Sequence, residues 1–428
     1  MSNDLGPLLK GIYPKVVATL IRVLGDMDRA MDATQDALVR ALQVWQEEGI
    51  PDNPVAWLVT VGRNRAIDQI RRESRVVSIE GAAPNLLDGG AGLQGEYEVH
   101  AAHRGQIEDA SDFDWTQVDD DLLRLMFTCC HPALNAPAQI VLILKVVLGF
   151  SVQEIARGLL ASPAGIEKRI TRAKAKLRDA GVPYEVPPAA EMPARLDAVL
   201  RAVYLIFNEG YTRTQDAELA RGSLIDVAIR LGRMISRLFR HDPEPRSLLA
   251  LMLLTAARLP ARVDAEGVFV PLQRQQRSLW NQSMIAEGIA IIDAVFAARH
   301  LPGAYQIQAA ISALHCRAPS AQATDWSQIV ALYEKLEEYD TSPVIPVNHA
   351  VALCFCNRPA EALAELTTPG NVAALKAYQP YYAALAFVAE HMNQIEDALE
   401  AIGKAHELAP SRAQRIYLER ERARLESI

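Results

Sequence analysis

The chain has 428 residues, of which 50% are apolar, 6% aromatic and 22% charged, and it carries a formal charge of −8. At roughly 100 to 200 residues per domain that length allows two to four compact units with ample core. The longest largely apolar run, Ala138 to Phe150, is broken by Gln139 and Lys145 and is shorter than the roughly 20 residues a membrane-spanning helix needs. The N-terminus lacks the basic start and apolar stretch of a signal peptide, so the expectation is a cytoplasmic protein with no membrane partner. The five cysteines, Cys129, Cys130, Cys316, Cys354 and Cys356, contain no CxxC pair. Neither a disulfide framework nor a zinc ribbon is expected.

A charge of −8 taken alone argues against nucleic acid as a partner, but its distribution along the chain is uneven. Residues 1 to 75 hold 10 basic and 10 acidic side chains, with five arginines between Arg63 and Arg75. Residues 76 to 121 hold Arg104 against 11 acidic side chains, and residues 122 to 184 hold 9 basic against 3 acidic. Two helical units rich in arginine and lysine therefore flank an acidic, glycine-rich stretch with Gly89, Gly90, Gly92 and Gly95. That stretch has little apolar periodicity and reads as a flexible linker that repels phosphate.

Almost every periodic segment has helical spacing, and the turn signals fall between runs of about 10 to 20 residues. The expected fold class is all-α. The expected domains are a small bundle over residues 8–75, the linker over 76–118, a second small bundle over 119–184, a helical extension over 185–340 and helical repeats over 341–428. Pro183, Pro187, Pro188 and Pro193 mark the start of the extension, because proline interrupts helices.

In the first bundle a helix is predicted from about Met27 to Gln46. Ala30, Met31, Ala37, Leu38, Ala41, Leu42, Val44 and Trp45 share one broad face, and Asp28, Asp32, Gln35 and Asp36 lie opposite. The polar face reads either as an ordinary solvated surface or as an acidic docking patch for a basic partner. A second helix starts at Asn53 as N-cap with Pro54 at its first position, and runs to about Arg75. Its core stripe is Val55, Ala56, Val59, Ala66, Ile67 and Ile70, while Trp57, Asn64, Asp68, Arg71, Arg72 and Arg75 gather on the other side. Guanidinium groups neutralise phosphates and a flat ring stacks on an unpaired base, so this face suits nucleic acid. The alternative is a basic surface helix with Trp57 packed on a neighbour.

The third segment carries the most specific local signal. Ser151 and Glu154 form a capping box that opens a short helix through Leu160. Ser162 and Pro163 then serve as N-cap and first residue of a longer helix that stops near Gly181. Ala156 and Ile166 sit at the small and apolar positions where the two helices of a helix-turn-helix press together, and Leu160 replaces the glycine common in the turn. The longer helix buries Ile166, Ile170, Ala173 and Leu177. Between Arg157 and Arg178 there are seven basic residues and one acidic, the charge and length of a helix that enters a major groove. A packed helical hairpin is the competing reading.

Taken in order, these segments resemble a bacterial RNA polymerase sigma factor of the sigma-70 family, extracytoplasmic-function (ECF) type. The carrying motifs run from Asp28 through Asp32 and Gln35 to Leu38, from Pro51 through Trp57 and Arg63 to Asp68, and from Phe150 to Lys176. The resemblance implies that Asp28, Asp32, Gln35, Asp36 and Arg40 dock on the β′ subunit of core RNA polymerase, with the β subunit also a partner. It implies that Trp57, Asn64, Asp68, Arg71 and Arg75 recognise the melted minus-10 element. It further implies that Lys168, Arg169, Thr171, Arg172 and Lys174 read the minus-35 element of promoter DNA. Such a protein has no cofactor, no metal and no catalytic residue.

Two further stretches, Leu125 to Leu134 and Ala202 to Tyr211, are similar to the ECF subgroup with a long tetratricopeptide (TPR)-like C-terminal extension. Cys129, Cys130 and His131 invite a metal or redox role, but adjacent cysteines chelate one ion poorly, and a core role is expected. Asn208, Glu209, Gly210 and Tyr211 invite catalysis, but Gly210 is placed to end the preceding apolar helix. Tyr382, Leu385, Ala386, Ala389, Ala398, Ile402, Ala405 and Pro410 follow TPR spacing, and Ala350, Leu353, Ala362 and Leu366 repeat part of it 36 residues earlier. Such repeats bind peptides or other domains, so the extension is expected to take a protein partner or to dock within the chain as a regulator. Trp280 and Trp326 read as core anchors. The runner-up function is a stand-alone helix-turn-helix regulator on an interaction scaffold. No phosphate loop or nucleophile constellation supports an enzyme.

Overall fold

A computed structural model describes residues 5–80, 118–159, 161–182, 184–188, 190–212, 221–299 and 301–428. Most of the acidic linker, and Leu160 in the helix-turn-helix turn, lie outside the described residues. Among those described, the secondary structure is helical apart from a single isolated antiparallel bridge between Val263 and Phe269. The protein is all-α, with two small helical domains followed by a large helical C-terminal extension. It divides into two compact units, Met1–Ala202 and Val203–Ile428.

The first unit begins with α1 (Leu5–Leu24), α2 (Met27–Val44) and α3 (Pro54–Glu80). Leu9, Tyr13, Val16, Val17, Leu20 and Ile21 make a buried stripe on α1 at helical spacing. Both later helices start as their sequences dictate. The Asp26 carboxylate accepts from the Arg29 N–H at 2.8 Å, and the Asn53 side chain accepts from the Ala56 N–H at 3.1 Å, each satisfying a donor that the first turn leaves open. Ala30, Ala33, Ala37 and Ala41 are buried on α2, and these small side chains let α3 approach closely.

The second bundle comprises α4 (Val118–Cys129), α5 (Ala136–Leu142) continuing into a π-helical turn (Ile143–Val147), α6 (Val152–Gly158) and α7 (Pro163–Asp179). Val141 to Leu144, Val146 and Val147 are all buried, so this stretch forms the bundle's centre. The two bundles pack together, with α1 against α4 and the π turn. Arg22 Nε donates to Asp121 Oδ1 at 2.7 Å, and Asp121 is fully buried. The Tyr184 hydroxyl lies 3.0 Å from the Ala18 carbonyl and 3.1 Å from that of Asp121. Gly149 has φ +70°, and a Cβ there would stand 2.7 Å from the Tyr13 ring. Only glycine permits both that backbone and that approach.

The chain then enters α8 (Met192–Thr212), within which the division between the two units falls. The second unit continues with α9 (Arg221–Leu238), α10 (Pro243–Ala256), α11 (Gln282–Ala297) and α12 (Ala304–Arg317). Its central helix is α10, buried on nearly every side and packed against α9, α11 and α12. The Glu244 carboxylate of α10 accepts from the N–H groups of Tyr305 and Gln306 at 3.0 and 3.1 Å, capping α12.

Seven further helices follow among the described residues: α13 (Trp326–Leu336), α14 (Val344–Phe355), α15 (Pro359–Leu366), α16 (Pro369–Leu375), α17 (Gln379–His391), α18 (Ile395–Glu407) and α19 (Arg412–Glu426). The hairpins α14–α15 and α17–α18 repeat one another. Each turns on an asparagine in the left-handed region, Asn357 at φ 59° and Asn393 at φ 60°. Each turn is closed alike, by Arg358 N–H to Leu353 O and by Gln394 N–H to Ala389 O, both 2.9 Å. Ala350, Leu353, Ala362 and Leu366 are buried, as are their counterparts Ala386, Ala389, Ala398 and Ile402.

Three local readings are settled by this packing. Gly210 does not end its helix, which runs on to Thr212. A Cβ at Gly210 would lie 2.9 Å from Ile225 Cγ1 and 3.1 Å from Leu224 Cβ, so glycine is there to let two helices touch. Tyr211 supports the same core, its ring 5.8 Å from that of Phe207 and 4.0 Å from the Arg262 guanidinium. Cys129 and Cys130 are fully buried, and burial pushes the Cys129 thiol up to about 12, so no thiolate forms near neutral pH. Trp280 is buried, and Trp326 stacks on Phe355 with ring centres 4.0 Å apart.

Candidate nucleic-acid interface

On α2, Asp28, Asp32, Gln35, Asp36 and Arg40 are all exposed. The structure adds two residues to this face. Val39 is 55% exposed and Leu42 is 43% exposed, and both follow the Asp32, Gln35 and Asp36 row at helical spacing. Leu42 thus leaves the core face on which its periodicity placed it, because α2 buries only a narrow stripe headed by alanines. Apolar side chains inside a polar rim characterise a surface that another protein covers.

On α3, Asn64 and Asp68 are exposed and Trp57 is half-buried, while the Arg71 and Arg75 side chains lie outside the described residues. The Trp57 ring meets the edge of Trp45 at 5.3 Å and 61°, which fixes its plane. Arg40, Trp57, Asn64 and Asp68 line one open groove between α2 and α3. Asp36 and Arg65 bridge the same helices at 4.0 Å, so the acidic face of α2 and the Asn64–Asp68 face of α3 are contiguous.

In the helix-turn-helix the capping box forms, with Glu154 accepting from the Ser151 N–H at 2.8 Å and Ser151 Oγ from the Glu154 N–H at 3.2 Å. Ser162 caps α7 by accepting from the Gly165 N–H at 3.1 Å. Gly181 at φ +60° closes the other end, where Gly181 N–H meets Arg178 O at 2.9 Å and Val182 N–H meets Leu177 O at 3.0 Å. Ala156 and Ile166 are buried where α6 and α7 cross, and Ile166, Ile170, Ala173 and Leu177 hold α7 to the bundle. Lys168, Arg169, Thr171 and Arg172 are left exposed on one surface. Lys168, Arg169 and Arg172 form no ion pair with the described residues. Thr171 donates to the Glu167 carbonyl at 3.0 Å.

Lys174 behaves differently. Its side chain is 18% exposed and its ammonium pairs with the Asp28 carboxylate. A basic residue of α7 and the first acidic residue of α2 therefore occupy one another. Sequence spacing gave no sign of this contact, because it spans two bundles.

Residues 8–76 match the family described as Sigma-70 region 2, and residues 124–177 match Sigma-70, region 4. The chain belongs to the sigma-70 family. Region 2 covers α1 to α3 up to residue 76, and region 4 covers the second bundle with its helix-turn-helix. This sigma-70 chain is a DNA-binding protein of transcription initiation and not an enzyme. Residues 195–296 match a family of unknown function, DUF6596. An uncharacterized protein of Rhizobium meliloti (strain 1021) is 40% identical over 405 residues, covering 95% of this chain and 92% of that protein. The likeness to that protein therefore extends into the C-terminal extension. No solved structure matches.

Proposed function

We propose that this chain is an ECF-type sigma factor that brings core RNA polymerase to particular promoters. Region 2 docks on the β′ subunit through Asp28, Asp32, Gln35, Asp36 and Arg40, with Val39 and Leu42 at the centre of the contact and the β subunit also engaged. Trp57, Asn64, Asp68, Arg71 and Arg75 take the minus-10 element as it melts, the ring stacking on a base and the arginines neutralising phosphates. Lys168, Arg169, Thr171, Arg172 and Lys174 read the minus-35 element in the major groove. The domain limits are those of residues 8–75, 76–118, 119–184, 185–340 and 341–428. The extension is a TPR-like scaffold that takes a protein partner or docks within the chain to regulate initiation, and the protein works in the cytoplasm. Among the described residues no helix is long and apolar enough to cross a membrane.

The observation that supports this reading best is the presence of both regions in one chain, with Asp28, Asp32, Gln35, Asp36 and Arg40 exposed on the one and Lys168, Arg169, Thr171 and Arg172 exposed on the other. The Lys174–Asp28 pair adds that the polymerase-binding face and the minus-35 helix are not both fully open in this arrangement. The test is co-purification of the full-length chain with core polymerase, followed by transcription from promoters mapped in that complex. Tight, sequence-specific duplex binding without any polymerase association would replace this reading with a stand-alone regulator.

A further inference from the structure

Three side chains of the extension converge from three successive segments: Glu337 caps the end of α13, His349 lies in α14 and Glu365 in α15. His349 is 7% exposed and aims Nδ1 at both carboxylates, 3.5 Å from Glu337 Oε1 and 3.2 Å from Glu365 Oε2. The three ligand atoms lie within 4.8 Å of one another. Nδ1 carries at most one proton, so it satisfies one carboxylate oxygen and not two. Among the described residues neither glutamate pairs with lysine or arginine, and Arg358 is engaged by Glu334 and Glu361. Even with a charged imidazole the cluster keeps an excess negative charge.

The local electrostatics agree with that count. Burial and the neighbouring Glu365 carboxylate raise Glu337 above the ordinary carboxylate range. Burial pulls His349 down, but Glu365 and Glu337 outweigh it and the group is raised. The His349 Nε2 is buried and has no hydrogen-bond partner among the described residues, so the ring is anchored only on its Nδ1 side.

We infer that Glu337, His349 and Glu365 form a site for a divalent transition-metal ion of the zinc class. Four-coordinate zinc with bonds of about 2.1 Å separates its ligands by about 3.4 Å, close to the observed nitrogen-to-oxygen spacings. One imidazole with two carboxylates suits zinc, cobalt or nickel, whereas magnesium prefers an octahedron of oxygens. Glu337, with a side chain 41% exposed, leaves the remaining position open to solvent. Because Nε2 lacks an acceptor to orient the ring, binding is expected in the micromolar range, weaker than at sites with a complete outer shell. The ion would tie the end of α13 to the α14–α15 hairpin. The site belongs to the extension alone and does not depend on the promoter-recognition reading.

The test uses the full-length chain, stripped with chelator and desalted, titrated with zinc and separately with magnesium near neutral pH. Calorimetry should give one zinc per chain, no magnesium binding, and a higher thermal unfolding midpoint with zinc. Glu337→Gln and Glu365→Gln should each weaken zinc binding at least about tenfold, with helical circular dichroism unchanged. Glu337 is half-exposed at a helix end, so that variant separates binding from folding. Absence of saturable binding below about 100 μM zinc, or unchanged affinity in both variants, overturns the inference. A rise in stability of either variant without any zinc effect also overturns it, and assigns the cluster to a proton shared between two carboxylates.

Discussion

His315 is 8% exposed, and burial, with Arg258 and Arg277 nearby, depresses it to about 3. It is therefore neutral in the fold, its ring 5.2 Å from that of Trp326, and in the unfolded chain it takes a proton below about 6.5. Stability from this group is fully present above that value and is lost as pH falls toward 3, at up to about 1.4 kcal/mol per pH unit. Urea unfolding of the full chain at pH 7 and pH 5 should show a smaller loss in His315→Gln than in the parent. At Gly149 the prediction is steric. Gly149→Ala places a methyl against the Tyr13 ring on a left-handed backbone, and should cost about 1–3 kcal/mol in the same assay. The capping residues Asn53, Ser151, Glu154, Ser162 and Gly181 were legible in the sequence because each acts on backbone groups within five positions. Tyr13 with Gly149 and Arg22 with Asp121 were not, since their partners are more than ninety residues away and no local pattern encodes them.

Among the elements, α2 and α7 present opposite kinds of surface. On α2, Val39→Asp alters an exposed apolar side chain that the bundle does not need. Thermal stability should stay within about 0.5 kcal/mol, while polymerase affinity measured by competition should fall at least tenfold if Val39 is central to the contact. On α7, Arg172→Ala removes an exposed guanidinium and should cost about 1–3 kcal/mol in minus-35 discrimination measured in the polymerase complex. Free core polymerase binding by Arg172→Ala should be unchanged, which separates the two faces. Periodicity made α7 readable because its buried and exposed residues alternate with a clear helical phase. It misassigned Leu42 because α2 rests on an alanine stripe narrower than its apolar sector, and hydropathy alone does not say where a stripe ends.

At the scale of the whole molecule, charge was the most informative property once divided by segment. The excess acid of the 76–121 stretch and of the extension conceals a basic region 4, so a net value of −8 is compatible with DNA binding. Helical class and the order of the two small bundles followed from spacing and turn chemistry. The α13–α15 carboxylate and imidazole cluster did not, because Glu337, His349 and Glu365 have no metal-motif spacing and meet only through packing of three helices. The paired left-handed asparagines, Asn357 and Asn393, mark identical joints 36 positions apart. Since each such joint meets mainly its immediate neighbours, the C-terminal end should be extensible in whole modules. Tandem duplication of residues 358–393 should add the circular dichroism at 222 nm of three further helices, second copies of α15, α16 and α17, and keep a single cooperative melt for that end of the chain. Insertion of half that length would leave a helix with no mate, and should instead expose dye-binding apolar surface. The extension can therefore change length by discrete steps, a form of length control that leaves α1 to α7 untouched.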